Sequence, residues 1–116
     1  MWEVNTSDLF DKWFDSQTEE LQEDILAGLG LIEAGGPNLG RPFVDTVRDS
    51  KFKNMKELRV QHKGDPIRAF FAFDPQRNAI ALCAGDKTGV NEAKFYADMI
   101  KLADRTYQKH LDGLEK

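Results

Sequence analysis

Two arginines carry the first chemical signal. Arg59 and Arg68 fall in neighbouring runs where apolar and polar residues alternate, so each is expected on a strand face turned away from Leu58, Val60, Ile67 and Ala69. Arg68 stands within Ile67-Arg68-Ala69-Phe70-Phe71-Ala72-Phe73, where a charged side chain is costly unless it has a partner or a task. A guanidinium suits phosphate, because its planar fork donates two parallel hydrogen bonds. The same residues also fit a structural role, in which Glu57 neutralises Arg68 or Arg59 across the strands. Both readings stay open on spacing alone.

Other reactive side chains are sparse. His62, at a strand end, fits either a general base or a plain turn residue, and His110 sits late in a helix, where positive charge is favourable. With these two histidines far apart and Cys83 the only cysteine, no metal site and no disulfide are expected. Cys83 lies in an apolar strand and reads as buried filler. No phosphate loop of the Walker or Rossmann type occurs, and Gly28-Leu29-Gly30 falls inside a helical pattern. No cofactor is expected.

The elements that would position the arginines follow from periodicity. Trp2–Asn5 reads as an opening strand. Thr6 or Ser7 then caps a short helix carrying Leu9, Phe10, Trp13 and Phe14. Ser16-Gln17-Thr18-Glu19 matches a capping box, and Leu21, Ile25, Leu29 and Ile32 continue as the apolar stripe of a second helix that ends at Gly35-Gly36-Pro37. Residues 38–54 read as an irregular connection with a short extended piece at Phe43–Val47. From Met55 the period becomes two, and three strands follow as a meander with turns at Lys63–Pro66 and Asp74–Asn78. Ala79–Ala84 is apolar on both faces, which places it centrally. Asn91 caps a closing helix carrying Phe95, Met99, Leu102 and Ala103. The order β-α-α-β-β-β-α implies an α+β domain, a small antiparallel sheet with helices packed on one face and the other face partly open.

Composition bounds the rest. The 116 residues support one domain, spanning 1–116, with 41% hydrophobic residues to form its core. The apolar runs are too short for a membrane span, and the start Met1-Trp2-Glu3-Val4 lacks the basic and apolar pattern of a secretory signal, so a cytoplasmic protein is expected. The net charge of −4 is unevenly spread. Residues 1–34 carry nine acids against Lys12, whereas Lys51, Lys53, Lys56, Arg59, Lys63 and Arg68 face only Glu57 and Asp65 in residues 51–68. The acidic front and basic middle are either two solvated faces or two binding surfaces.

Together, Lys56-Glu57-Leu58-Arg59, Ile67–Asp74, Gly85-Asp86-Lys87-Thr88-Gly89, Phe95-Tyr96 and Leu102–Arg105 resemble the phage-derived subgroup of RelE/HigB toxins over nearly the whole chain. The resemblance implies a RelE-like fold and a metal-independent endoribonuclease, an mRNA interferase that cuts messages on the ribosome. In that chemistry the RNA's own 2′-hydroxyl attacks the adjacent phosphate. It assigns Arg68 to phosphate charge, Lys87 to phosphate contact, and Tyr96 to base catalysis or base stacking. Lys56, Arg59 and Lys63 would bind RNA, with Glu57 or His62 as further acid or base. It also implies a helix-turn-helix antitoxin, HigA-like, as partner. Glu57 stands where active relatives often carry lysine. That departure, with the acidic total, leaves a second reading: an inactive RelE-fold binding module acting with such a partner. ParE-type gyrase inhibition is a third.

Overall fold

The computed structural model describes residues 1–115. Its elements run β1 (Glu3–Thr6), α1 (Asp8–Asp15), α2 (Glu19–Gly35), a single 3₁₀ turn at Gly36–Asn38, β2 (Val44–Thr46), β3 (Met55–His62), β4 (Asp65–Phe73), β5 (Asn78–Asp86) and α3 (Glu92–Leu114). The strands form one five-stranded sheet in the order β1-β5-β4-β3-β2. Ser7 caps α1 by accepting from Phe10 N, and Asn91 caps α3 by accepting from Lys94 N. Thr18, not Ser16, caps α2; Ser16 closes α1 instead, its N–H returning to the last carbonyls of that helix.

The meander forms as its alternation implies, with a tighter first turn. His62 pairs with Asp65, leaving Lys63-Gly64 as a two-residue loop. Both loop residues have positive φ (50° and 87°), the backbone sense that matches the twist of a hairpin. The extended piece near Phe43 becomes β2, a short edge strand on β3.

Two expectations about the sheet are corrected. It is mixed rather than antiparallel, because β1 runs parallel to β5 at one edge. Its helices lie on both faces rather than one. Phe10, Leu21, Ile25, Leu29 and Ile32 of α1 and α2 pack on Leu58, Val60, Ile67, Ala69 and Phe71. On the opposite face, Ile100, Ala103 and Tyr107 of α3 pack on Met55, Phe70, Ala72, Ile80, Leu82 and Cys83. β4 and β5 are apolar on both sides, so covering one face alone would leave Phe70 and Leu82 in water.

A bulge in β5 sets what each face presents. Phe70 pairs with Cys83 but Phe71 pairs with Ala81, so Leu82 is the extra residue. Leu82 and Cys83 therefore point the same way, toward α3, and Ala84 returns to the α1–α2 side. Gly85 then sits under α3, where a Cβ would come 3.1 Å from the Phe95 ring. On the other face Gly28 lets α2 approach Leu58 more closely still, where a Cβ would come within 2.8 Å.

Candidate active site

Five of the candidate residues gather on the α3 face of the sheet, around Glu57. Glu57 and Arg59 project from this face of β3, and Arg68 projects from β4 directly opposite Arg59. Two like charges in a directly opposed cross-strand pair repel, and Glu57 lies between them: Arg68 Nε is 3.3 Å and Arg59 Nη1 4.0 Å from Glu57 Oε1. The first turns of α3 bring Tyr96 over the sheet, its ring edge-on to Phe70 at 6.0 Å. Its hydroxyl donates to Glu57 Oε1 at 2.7 Å. Lys87, from the loop after β5, lies 5.1 Å over the Tyr96 ring. The lysine donates to the Tyr96 hydroxyl at 3.4 Å and to Glu92 Oε1 at 2.6 Å.

Exposure divides the cations. The Arg68 side chain is only 5% exposed, Lys87 15% and Arg59 25%. The expectation that Arg68 stands on an open face is therefore corrected. It is sunk in the sheet and committed to Glu57, with Nη1 donating to the Ile67 carbonyl at 3.0 Å. Among the described residues its Nε is the buried side-chain nitrogen left without a hydrogen bond. Arg59 and Lys87 are the cations an incoming anion can reach. The Glu92 that holds Lys87 is itself mostly exposed.

Burial, then the Glu57 hydrogen bond, push the Tyr96 phenol above its ordinary range despite the opposing influence of Lys87. The phenol stays protonated at neutral pH and is suited to giving a proton, not to taking one. Glu92 is held below the usual carboxylate range by its hydrogen bond from Lys87. Burial pushes the Cys83 thiol up to about 12, which leaves it inert.

The structure brings together Glu57, Arg59, Arg68, Lys87 and Tyr96, and separates Lys56, His62 and Lys63 from them. Even-numbered β3 residues face the other way, toward α2. Lys56 donates to the Thr46 hydroxyl at 2.9 Å. His62 pairs with Asp24 of α2, and Lys63, in the hairpin turn, pairs with Glu20. The period-two alternation that placed Arg59 already assigned Lys56 and His62 to the opposite face. A second buried polar group went unread in the sequence. Asp74 accepts from Gln76 N and Asn78 N and meets His110 Nε2 at 2.9 Å, while Asn54 bridges Tyr107 and the Phe73 carbonyl. The Asp74–Asn78 turn motif was its visible signal. No group of histidine, cysteine, aspartate and glutamate among the described residues is arranged to hold a metal ion.

The architecture is that of RelE toxins. It superposes on a mutant of E. coli toxin RelE in the free state with a TM-score of 0.63 at 10% identity, covering 90% of this chain and 95% of that one. It also superposes on the isolated E. coli RelE toxin with a TM-score of 0.59 at 9% identity, covering 87% and 97%. At these identities the likeness concerns the fold. Residues 12–108 match the family described as phage derived protein Gp49-like, and the chain belongs to that family, which is of the RelE/HigB type. Two Mycobacterium tuberculosis proteins, named putative toxin HigB2 and putative toxin HigB3, are each 44% identical, over 89% and 87% of this chain. The aligned region spans about half of HigB2 (51%) and most of HigB3 (86%). No helix among the described residues is long and apolar enough to cross a membrane.

Proposed function

We propose that this chain is the toxin of a toxin–antitoxin module of the RelE/HigB kind and that it cuts messenger RNA by 2′-hydroxyl attack on the neighbouring phosphate. The observation that carries the reading is the meeting of Arg59, Arg68, Lys87 and Tyr96 around one carboxylate, Glu57. The naming of both M. tuberculosis relatives as toxins supports it.

The reaction needs an acceptor for the 2′ proton, cations for charge gathering on the phosphoryl oxygens, and a donor for the departing 5′ oxygen. Glu57 is the carboxylate at the centre of the cluster and serves as acceptor. The substrate hydroxyl takes the place of Tyr96 on Glu57, and the released phenol protonates the 5′ oxygen. The P–O bond to the 5′ oxygen breaks as the 2′ oxygen bonds to phosphorus, leaving a 2′,3′-cyclic phosphate and a 5′-hydroxyl. Arg59 and Lys87 take the phosphoryl oxygens. Arg68 acts through Glu57, holding its charge and position. A helix-turn-helix, HigA-like antitoxin would silence the site, and the ribosome would present the message in the cytoplasm.

One observation favours the second reading, a binding module without catalysis: Glu57 already neutralises the buried Arg68. Inducing the chain without a partner and mapping transcript 5′ ends separates the two. Arrested growth with discrete new 5′-hydroxyl ends, relieved by Lys87→Ala and Arg59→Ala, supports the nuclease. Arrest or binding with intact messages supports the module, and DNA-damage signalling with intact messages supports gyrase inhibition. Unchanged growth and intact messages would overturn the toxin reading itself.

A further inference from the structure

We propose that a trough on the far flank of α3 from Glu57 is a second, non-catalytic site that holds the sugar–phosphate backbone of single-stranded RNA. The trough has a volume of about 1150 Å³ and runs between α3 and the β1–α1 junction, with Ile80 at its floor. Lys101, Arg105 and Lys109 line it, all three exposed. They recur at every fourth residue of α3, so successive cations are roughly 6 Å apart along the axis. That step is close to the phosphate-to-phosphate step of an extended strand.

None of the three forms an ion pair among the described residues, whereas Lys63, Lys87 and Lys94 each have a carboxylate partner. The trough also contains acids, and two of these are occupied. Asp104 accepts from the Ser50 hydroxyl and Lys51 N, and Asp112 accepts from Gln108. Asp8 lies in the first turn of α1. Neutral donors leave these carboxylates charged, but with Lys51 the trough carries four basic side chains against three acidic ones, a small positive excess. The trough has no aromatic side chain beyond the imidazole of His110, which is held by Asp74. Recognition is therefore by phosphate charge, without base stacking and without sequence preference. An extended acidic peptide presents alternate carboxylates at a similar step of about 6.6 Å, so the choice of RNA comes from the nuclease reading, and the oligoglutamate comparison below tests it. The identity of the ligand rests on the messenger RNA reading above; the cationic series does not.

The test uses a fluorescent 2′-O-methyl oligouridylate of about 12 nucleotides, a length single-strand grooves accommodate, which lacks the attacking hydroxyl and cannot be cut. Beyond the contacts at Arg59 and Lys87, three phosphate contacts in the trough add about −2 to the log–log salt slope, roughly a further 20-fold loss of affinity between 50 and 200 mM salt. The triple variant Lys101→Ala, Arg105→Ala, Lys109→Ala, confirmed folded by circular dichroism, should lose most of that slope, and Arg105→Lys should keep it. No binding at 50 mM salt would overturn the proposal, as would a slope unchanged in the triple variant or tighter binding to an oligoglutamate. The two proposals fail separately. Intact messages in cells with the predicted slope in vitro remove the nuclease and keep the trough; active cleavage with an unchanged triple variant does the reverse.

Discussion

Glu57 and Arg68 form a buried ion pair, side chains 8% and 5% exposed, with Arg68 Nε 3.3 Å from Glu57 Oε1. Removing one partner strands the other charge in the sheet, a loss of about 3–5 kcal/mol for buried pairs. Glu57→Ala should therefore lower the free energy of urea unfolding by that amount, more than Arg59→Ala does. Replacing both with methionine should recover most of it. Equal effects of Glu57→Ala and Arg59→Ala would show that the pair is not the one that matters.

Tyr96→Phe separates packing from proton transfer. The ring contacts with Phe70 and Phe95 remain and only the hydroxyl is lost. Stability should drop by about 1 kcal/mol, the worth of one hydrogen bond. Cleavage, measured by transcript-end mapping and in vitro turnover, should fall by about 10²–10⁴-fold. Near-normal cleavage would remove Tyr96 from the chemistry.

Alkaline stability should carry the mark of three acids raised by burial, Cys83, Tyr96 and Tyr107. Cys83 is pushed up to about 12 by burial, against about 8.5 in an unfolded chain. Tyr96 is raised as well, by burial first and Glu57 second. In all three cases the folded state keeps a proton that the unfolded state releases, so stability is full below the unfolded value and declines as pH rises toward the folded one. Urea midpoints should fall steadily above about pH 8.5. In Cys83→Ala the decline should begin nearer pH 10, where tyrosine titrates. A wild-type midpoint flat to pH 11 would contradict all three shifts.

The glycines of α2 should respond in opposite directions. A Cβ at Gly28 would lie 2.8 Å from Leu58 Cδ2, whereas one at Gly30 meets nothing within 4 Å. Gly28→Ala should cost about 1–3 kcal/mol through overpacking, and Gly30→Ala should gain about 0.5–1 kcal/mol from better helix propensity. Denaturant titration of the two variants reads this directly.

Much of this was legible in advance. The helices, the meander, the α3 cap at Asn91 and the approach of Arg59, Arg68, Lys87 and Tyr96 follow from local periodicity, turn chemistry and family resemblance. What escaped depended on long-range choices. β1 beside β5, α3 across the second face, and Asp24 reaching His62 each join segments far apart in the chain, and no local pattern encodes them. The Glu57–Arg68 pair was visible as an option but not decidable, because whether a strand arginine is buried depends on what α3 lays over it. The family resemblance groups Lys56 and Lys63 with Arg59, but strand parity and the hairpin turn send them elsewhere.

The single surplus residue in β5 works as a counting device. Every position after Leu82 is turned over relative to simple alternation, which puts Gly85, and not Ala84, under Phe95. Closing the bulge while keeping all nine residues of β5 would pair Arg68 with Ala84 in place of Gly85, driving a methyl group against the first turns of α3. Tyr96 and Lys87 would then be carried away from Glu57. The spacing of the candidate site is thus written in the length of a strand that contributes no side chain to it.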